Sequence, residues 1–122
     1  MIILAINCAT KLTSLALTKD NQLLGSLSLY DFKTENLIVK IEELLLSANV
    51  DKKEIALISS AVGPGGYTAL RSAIGTVNGL AYSLGIPTIG FSTLGAIAWQ
   101  NLAFKGLIIP VLPARAQEYN FA

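Results

Sequence analysis

Ala61-Val-Gly-Pro-Gly-Gly-Tyr-Thr-Ala-Leu-Arg71 is the stretch that decides how this chain folds. It closes an apolar, β-like run from Ile55 to Val62 and opens a helical pattern from Tyr67 to Leu84. Gly63, Gly65 and Gly66 permit a sharp turn with positive φ, which residues bearing side chains resist, and Pro64 stiffens it. A strand, a glycine corner and a helix N-terminus together aim backbone amides at one point, where an anion can sit. Two readings stand side by side: a corner that only needs to be tight, or a phosphate-contacting turn at Gly63, Gly65 and Gly66. A catalytic phosphate loop is excluded, because no lysine occurs between Lys53 and Lys105. A dinucleotide fingerprint beginning at Gly63 is excluded too, because Thr68 stands where its third glycine belongs.

Upstream of the corner, Ile2–Ile6, Ser14–Thr18 and Gln22–Leu29 read as strands, with Asp20-Asn21 as a hairpin signal. Thr34 followed by Leu37, Ile38, Ile41, Leu44, Leu45 and Ala48 gives the stripe of an amphipathic helix, and Asp51-x-x-Glu54 reads as a capping box. Downstream, Gly85-Ile86-Pro87 ends the long helix, and Thr88–Phe91 is a short strand. Ser92 or Thr93 caps a third helix through about Ala103; Leu107–Leu112 reads as a strand broken at Pro113, and Glu118 begins another. The order is β-β-β-α-β-α-β-α-β. It implies one α/β unit over residues 1–122, a mixed sheet with helices on both faces, in the manner of a ribonuclease-H-like lobe.

Hydrophobic residues make up 52% of the chain and charged residues only 14%, against the quarter or so usual in soluble domains. Some apolar surface is therefore expected to meet a partner. A formal net charge of +1 argues against a nucleic-acid platform. Without a histidine, Ser-His-Asp and Cys-His catalysis have no base, and zinc would need carboxylates and one thiol. Adjacent Glu42 and Glu43 point to different sides of a helix, so no cooperating pair of acids assembles. The lone Cys8 lies in the first strand pattern and reads as a buried structural thiol in a reducing compartment. No basic leader and no long apolar run is present, so cytoplasm is expected, with no membrane contact.

The long helix carries Ser72, Gly75, Thr76, Gly79 and Ser83 along one side and Leu70, Ile74, Val77, Ala81 and Leu84 along the other. Mid-helix glycine costs about 1 kcal/mol relative to alanine, which close approach of another backbone would offset. The neighbour is either an element of this chain or a partner helix.

Gly63-Pro-Gly-Gly-Tyr-Thr-Ala-Leu-Arg71 resembles the Gly-Pro-Gly-Ser-Phe-Thr-Gly-Leu-Arg signature of the TsaB (YeaZ) family. Ile74-Gly-Thr-Val-Asn-Gly-Leu-Ala81, Leu84-Gly-Ile-Pro87 and Ser92-Thr-Leu94 continue the likeness in register, and Ile6-Asn-Cys-Ala-Thr10 sits where the family has a Leu-Asp-Thr-Ser-Thr-like segment. The resemblance implies the fold of the actin, sugar kinase and heat-shock chaperone ATPases, usually in two lobes. It implies a non-catalytic partner for a TsaD-like subunit in making threonylcarbamoyladenosine at position 37 of transfer RNA, with a TsaE-like ATPase in the same assembly. No cofactor is expected on this chain, ATP and Mg²⁺ belonging to the partners, and transfer RNA is contacted only indirectly. A first-lobe interface, or a homodimer through similar surfaces, would use Leu37, Ile41, Leu45, Leu70, Arg71, Ile74, Gly75, Asn78 and Gly79. Asn7 replaces the family's first-strand acid, Thr34-Glu-Asn occupies the place of its histidine, and Pro113-Ala-Arg-Ala-Gln-Glu118 departs from its Asp-Ala-Arg-Arg-Gly-Glu segment. The chain stops where the family's second lobe would begin, which leaves a naturally short form and a truncated one both open. The alternatives are a weak ATP-binding or hydrolysing enzyme, or a peptidase-like protein of the same fold, and a fragment whose exposed sheet edge keeps it from folding alone.

Overall fold

The structure, a computed structural model, describes residues 1–114 and 118–121. Period-two alternation builds its centre. In β1 (Ile2–Asn7), buried Ile2, Leu4 and Ile6 alternate with half-buried Ile3, Ala5 and Asn7. β2 (Leu12–Lys19) runs antiparallel to it, setting Leu17 opposite Leu4 and Leu15 opposite Ile6. Asp20 and Asn21 then turn with φ of 50° and 67°, the left-handed pair that a two-residue hairpin requires, and deliver β3 (Gln22–Tyr30). β4 (Ile55–Gly63) lies parallel to β1, and β5 (Thr88–Ser92) parallel to β4. The five-stranded sheet therefore runs β3-β2-β1-β4-β5.

Two helices cover one face. α1 (Leu37–Ser47), entered through a 3-10 turn at Thr34–Asn36, buries Leu37, Ile41, Leu44 and Leu45. α2 (Tyr67–Leu84) buries Leu70, Ala73, Val77 and Ala81 and ends at Gly85, whose φ of 66° is the expected left-handed cap. Apart from Leu70, these side chains join Leu4, Ile6, Leu15, Leu17 and Ile58 in one core. Gly25 of β3 matters there: a Cβ on it would stand 3.2 Å from Leu44 Cδ1. The capping box is present, with the Lys53 amide donating to Asp51 and the Asp51 amide to Glu54.

The opposite face is more thinly clad. α3 (Thr93–Trp99) starts where Ser92 Oγ accepts from the Gly95 amide, and its Ala96 borders a shallow groove over Ala5, Asn7, Ser14 and Ala16. Helices thus lie on both faces, as expected, although α3 is shorter than the pattern to Ala103 implied. Asn101 is the reason. Its side-chain amide takes the Ile97 carbonyl at 2.9 Å while its backbone amide turns to Ala98, which tightens and closes the last turn.

The expected strand Leu107–Leu112 is also corrected. Only Val111–Pro113 forms a strand, β6, and it pairs antiparallel with β7 (Tyr119–Phe121) in a separate two-stranded sheet. Residues 107–110 have no ladder partner among the described residues, and their apolar run is not a strand. Pro113 ends β6 rather than interrupting it, because a two-stranded ribbon has only edges, where a missing amide is tolerated. Arg115, Ala116 and Gln117 of the segment singled out above lie outside the described residues, as does Ala122.

Candidate functional site

Parallel strands β1 and β4 end side by side, and the loops beyond their carboxyl ends form a cleft of about 620 Å³. Its walls are Cys8–Lys11 and Thr13 after β1, Asp31 and Phe32 after β3, Gly65, Gly66 and Ala69 from the corner, and Leu112–Ala114. Gly63, with φ of 114°, sits at the last residue of β4 outside that lining. The corner is tight for a specific reason. A Cβ on Gly65 would lie 2.3 Å from the Ala9 carbonyl oxygen and 2.7 Å from Ala9 Cα, so only glycine lets the two backbones meet. The Gly66 amide donates to that same carbonyl at 2.9 Å. One of the amides that an anion would need is therefore already engaged.

Asn7 is likewise occupied. Its Oδ1 accepts from the Ala9 amide at 3.0 Å, and its side of the sheet faces the shallow groove rather than the cleft. Cys8 is 2% exposed, and burial pushes its thiol above the ordinary value, with hydrogen bonding to Thr13 partly opposing. Exposed Lys11 and Asp31 bring one charge of each sign to the rim, held adjacent by the Asp31 amide donating to the Lys11 carbonyl at 2.8 Å. Neither residue stood out in the sequence; only the exact register of the β2–β3 hairpin brings them together. Among the described residues, no three of His, Cys, Asp and Glu converge on a metal-binding point. Among the described residues the cleft is walled largely by apolar groups and backbone, with the Cys8 thiol buried and the chain offering no histidine to serve it as a base.

A second surface lies along α2. Arg71, Gly75, Asn78 and Gly79 are exposed and Ile74 is half-buried. A Cβ on Gly75 or Gly79 would find no atom within 4 Å, so no neighbour in the described chain explains either glycine. Arg71 Nη1 donates to Tyr67 Oη at 2.7 Å, and its guanidinium carbon lies 5.2 Å from that ring's centroid. The expected interface is corrected at four positions. Leu37, Ile41, Leu45 and Leu70 are between 0% and 8% exposed, their side chains filling this chain's own core beneath α1 and α2. The helical periodicity that singled them out marks the inward stripe, and the small residues mark the outward one.

A mixed five-stranded sheet of this order, with two helices on one face and one on the other, defines a ribonuclease-H-like α/β lobe. Thermus thermophilus RuvC shares that fold at a TM-score of 0.57 and 14% identity, over 84% of this chain and 70% of its own. YeaZ from Pseudomonas aeruginosa superposes at a TM-score of 0.88 with 28% identity, over 98% of this chain and 57% of that one. The tRNA threonylcarbamoyladenosine biosynthesis protein TsaB of Bacillus subtilis is 30% identical over 94% of this chain and 51% of its own length. Residues 32–122 match the family described as TsaD: tRNA N6-adenosine threonylcarbamoyltransferase. The chain belongs to that family, on its TsaB/YeaZ branch. It spans about half the length of the curated relatives it matches. Among the described residues, no helix is long and apolar enough to cross a membrane.

Proposed function

We propose that this chain is a non-catalytic partner subunit in threonylcarbamoyladenosine modification of transfer RNA, acting in the cytoplasm by docking against a TsaD-type enzyme. One observation carries the proposal: Gly75 and Gly79 are exposed mid-helix glycines with open space where a side chain would be. Each costs about 1 kcal/mol of helix stability relative to alanine. A partner backbone approaching closely along the Arg71, Gly75, Asn78 and Gly79 side, with Ile74 at its margin, gives them a purpose. The lack of a histidine and the engaged corner amide fit a supporting role in preference to independent ATP hydrolysis or peptidase chemistry. ATP and Mg²⁺ would be held by the TsaD-like subunit and a TsaE-like ATPase, and transfer RNA would meet this chain only indirectly.

Isothermal titration of the chain with a TsaD-type subunit tests this reading. Binding is expected, and Gly79→Leu should weaken it about a hundredfold by wedging the helices apart. A wild-type chain that gives no heat, beside a full-length TsaB control that binds, would falsify the docking role. Undiminished binding by Gly79→Leu would move the interface off α2.

A further inference from the structure

We propose that Arg71 fixes the register of the docking surface on α2 by pairing with a carboxylate of the TsaD-type partner, an inference that rests on the docking role above. Arg71 is the one charged side chain among the 18 residues of α2. It is exposed on the same side as Gly75 and Asn78, which follow it at helical spacing. The ion pairs among the described residues lie elsewhere, one joining the Met1 ammonium to Asp20 and the other Lys40 to Glu43. Arg71 thus meets no carboxylate among the described residues, yet its guanidinium is already held. Nη1 donates to Tyr67 Oη at 2.7 Å, and the guanidinium carbon lies 5.2 Å from that ring's centroid. This contact uses one of about five N–H donors, and the others have no acceptor among the described residues.

A carboxylate is the group this arrangement fits. The planar fork of a guanidinium grips it through two parallel hydrogen bonds, and a side chain already steadied by an aromatic ring loses less freedom on docking. The helix works in the same direction, since its N-terminal end is positive and no acid occupies its first turn. α2 holds no Asp or Glu anywhere, so α2 of a second copy could not supply the acid, and the charge calls for a different chain. Register follows from the same asymmetry. The rest of the ridge is uncharged, and the open space at Gly75 and Gly79 lets a partner's backbone come close enough to exclude water. A slip of one helical turn, about 5.4 Å, would part the pair and leave a desolvated guanidinium without a partner. Wrong alignments are thereby penalised as well as the right one being favoured.

Isothermal titration of the whole chain with a TsaD-type subunit, at low and at high salt, tests the inference. Arg71→Met should weaken binding about a hundredfold and remove most of its salt dependence. Arg71→Lys should recover little of the loss, since an ammonium lacks the fork. Arg71→Glu should bind more weakly still, and exchange of one exposed Asp or Glu of the partner for Lys should restore it, a rescue that a misfolded variant could not show. Wild-type binding that Arg71→Met matches at both salt concentrations would overturn the assignment and leave the docking role intact. So would a loss in Arg71→Glu that no such exchange on the partner restores. No binding by the wild type, beside a full-length control that binds, would remove the docking role and this inference together.

Discussion

Among the described glycines, Gly65 leaves the least room for a side chain. Any Cβ there strikes the backbone of Ala9, which cannot swing aside as a flexible side chain would. Gly65→Ala is therefore expected to destabilise the fold by about 3 kcal/mol, read from urea midpoints; a change within experimental error would show that the loop after β1 yields. The sequence carried the need for a tight corner but not its cause, since nothing in Gly63-Pro-Gly-Gly66 says that Ala9 is the neighbour. Cys8 makes a second prediction. Its raised pKa means that the folded chain holds the thiol proton more firmly than the unfolded chain, which ionises near pH 8.5. Its contribution is complete below about pH 8.5 and is lost as pH climbs toward the folded value. Wild-type stability should thus fall on the alkaline side more steeply than that of Cys8→Ala. Parallel curves for the two proteins would sink the assignment.

Elements differ in how openly they are written. α2 was readable from end to end, because Gly66 and Gly85-Ile-Pro87 punctuate it and its apolar residues keep helical spacing. The hairpin strands were recognisable too, yet their register was not: a bulge where Leu17/Thr18 face Leu23 to Gly25 shifts every later pair by one. That shift is what places Lys11 beside Asp31, so the cleft rim is not legible in the residue pattern alone. The expected strand Leu107–Leu112 departs from the structure for a different reason. Apolar runs report burial or partner-seeking surface, and only a neighbouring strand with free amides turns them into sheet. Within α2, the exposed glycines yield a test of their own. Gly75→Ala and Gly79→Ala should each raise stability by about 1 kcal/mol in thermal or urea unfolding, since helix propensity improves and the added methyl meets open space. Destabilisation by either would mean that a neighbour already sits there.

The whole molecule has one well-filled face and several unfinished ones. Its core lies between the sheet and the α1–α2 pair; among the described residues α3 is the one helix on the opposite face, and the chain beyond Trp99 exposes Leu102, Phe104 and Leu107. The low charge content foretold such surfaces without placing them. Their location depends on which elements pair, a property of topology rather than of composition. The hydrogen bond from Gly66 to Ala9 bears on this uneven body, for it ties the first strand's exit to the start of the long helix. A donor in an exposed loop ordinarily trades its proton with solvent within moments. Here the amide is held by the Ala9 carbonyl at the junction of β1 and α2, so deuterium uptake at Gly66 should be as slow as in β1 and β4. Rapid uptake there would mean that the corner breathes by itself, leaving the sheet intact.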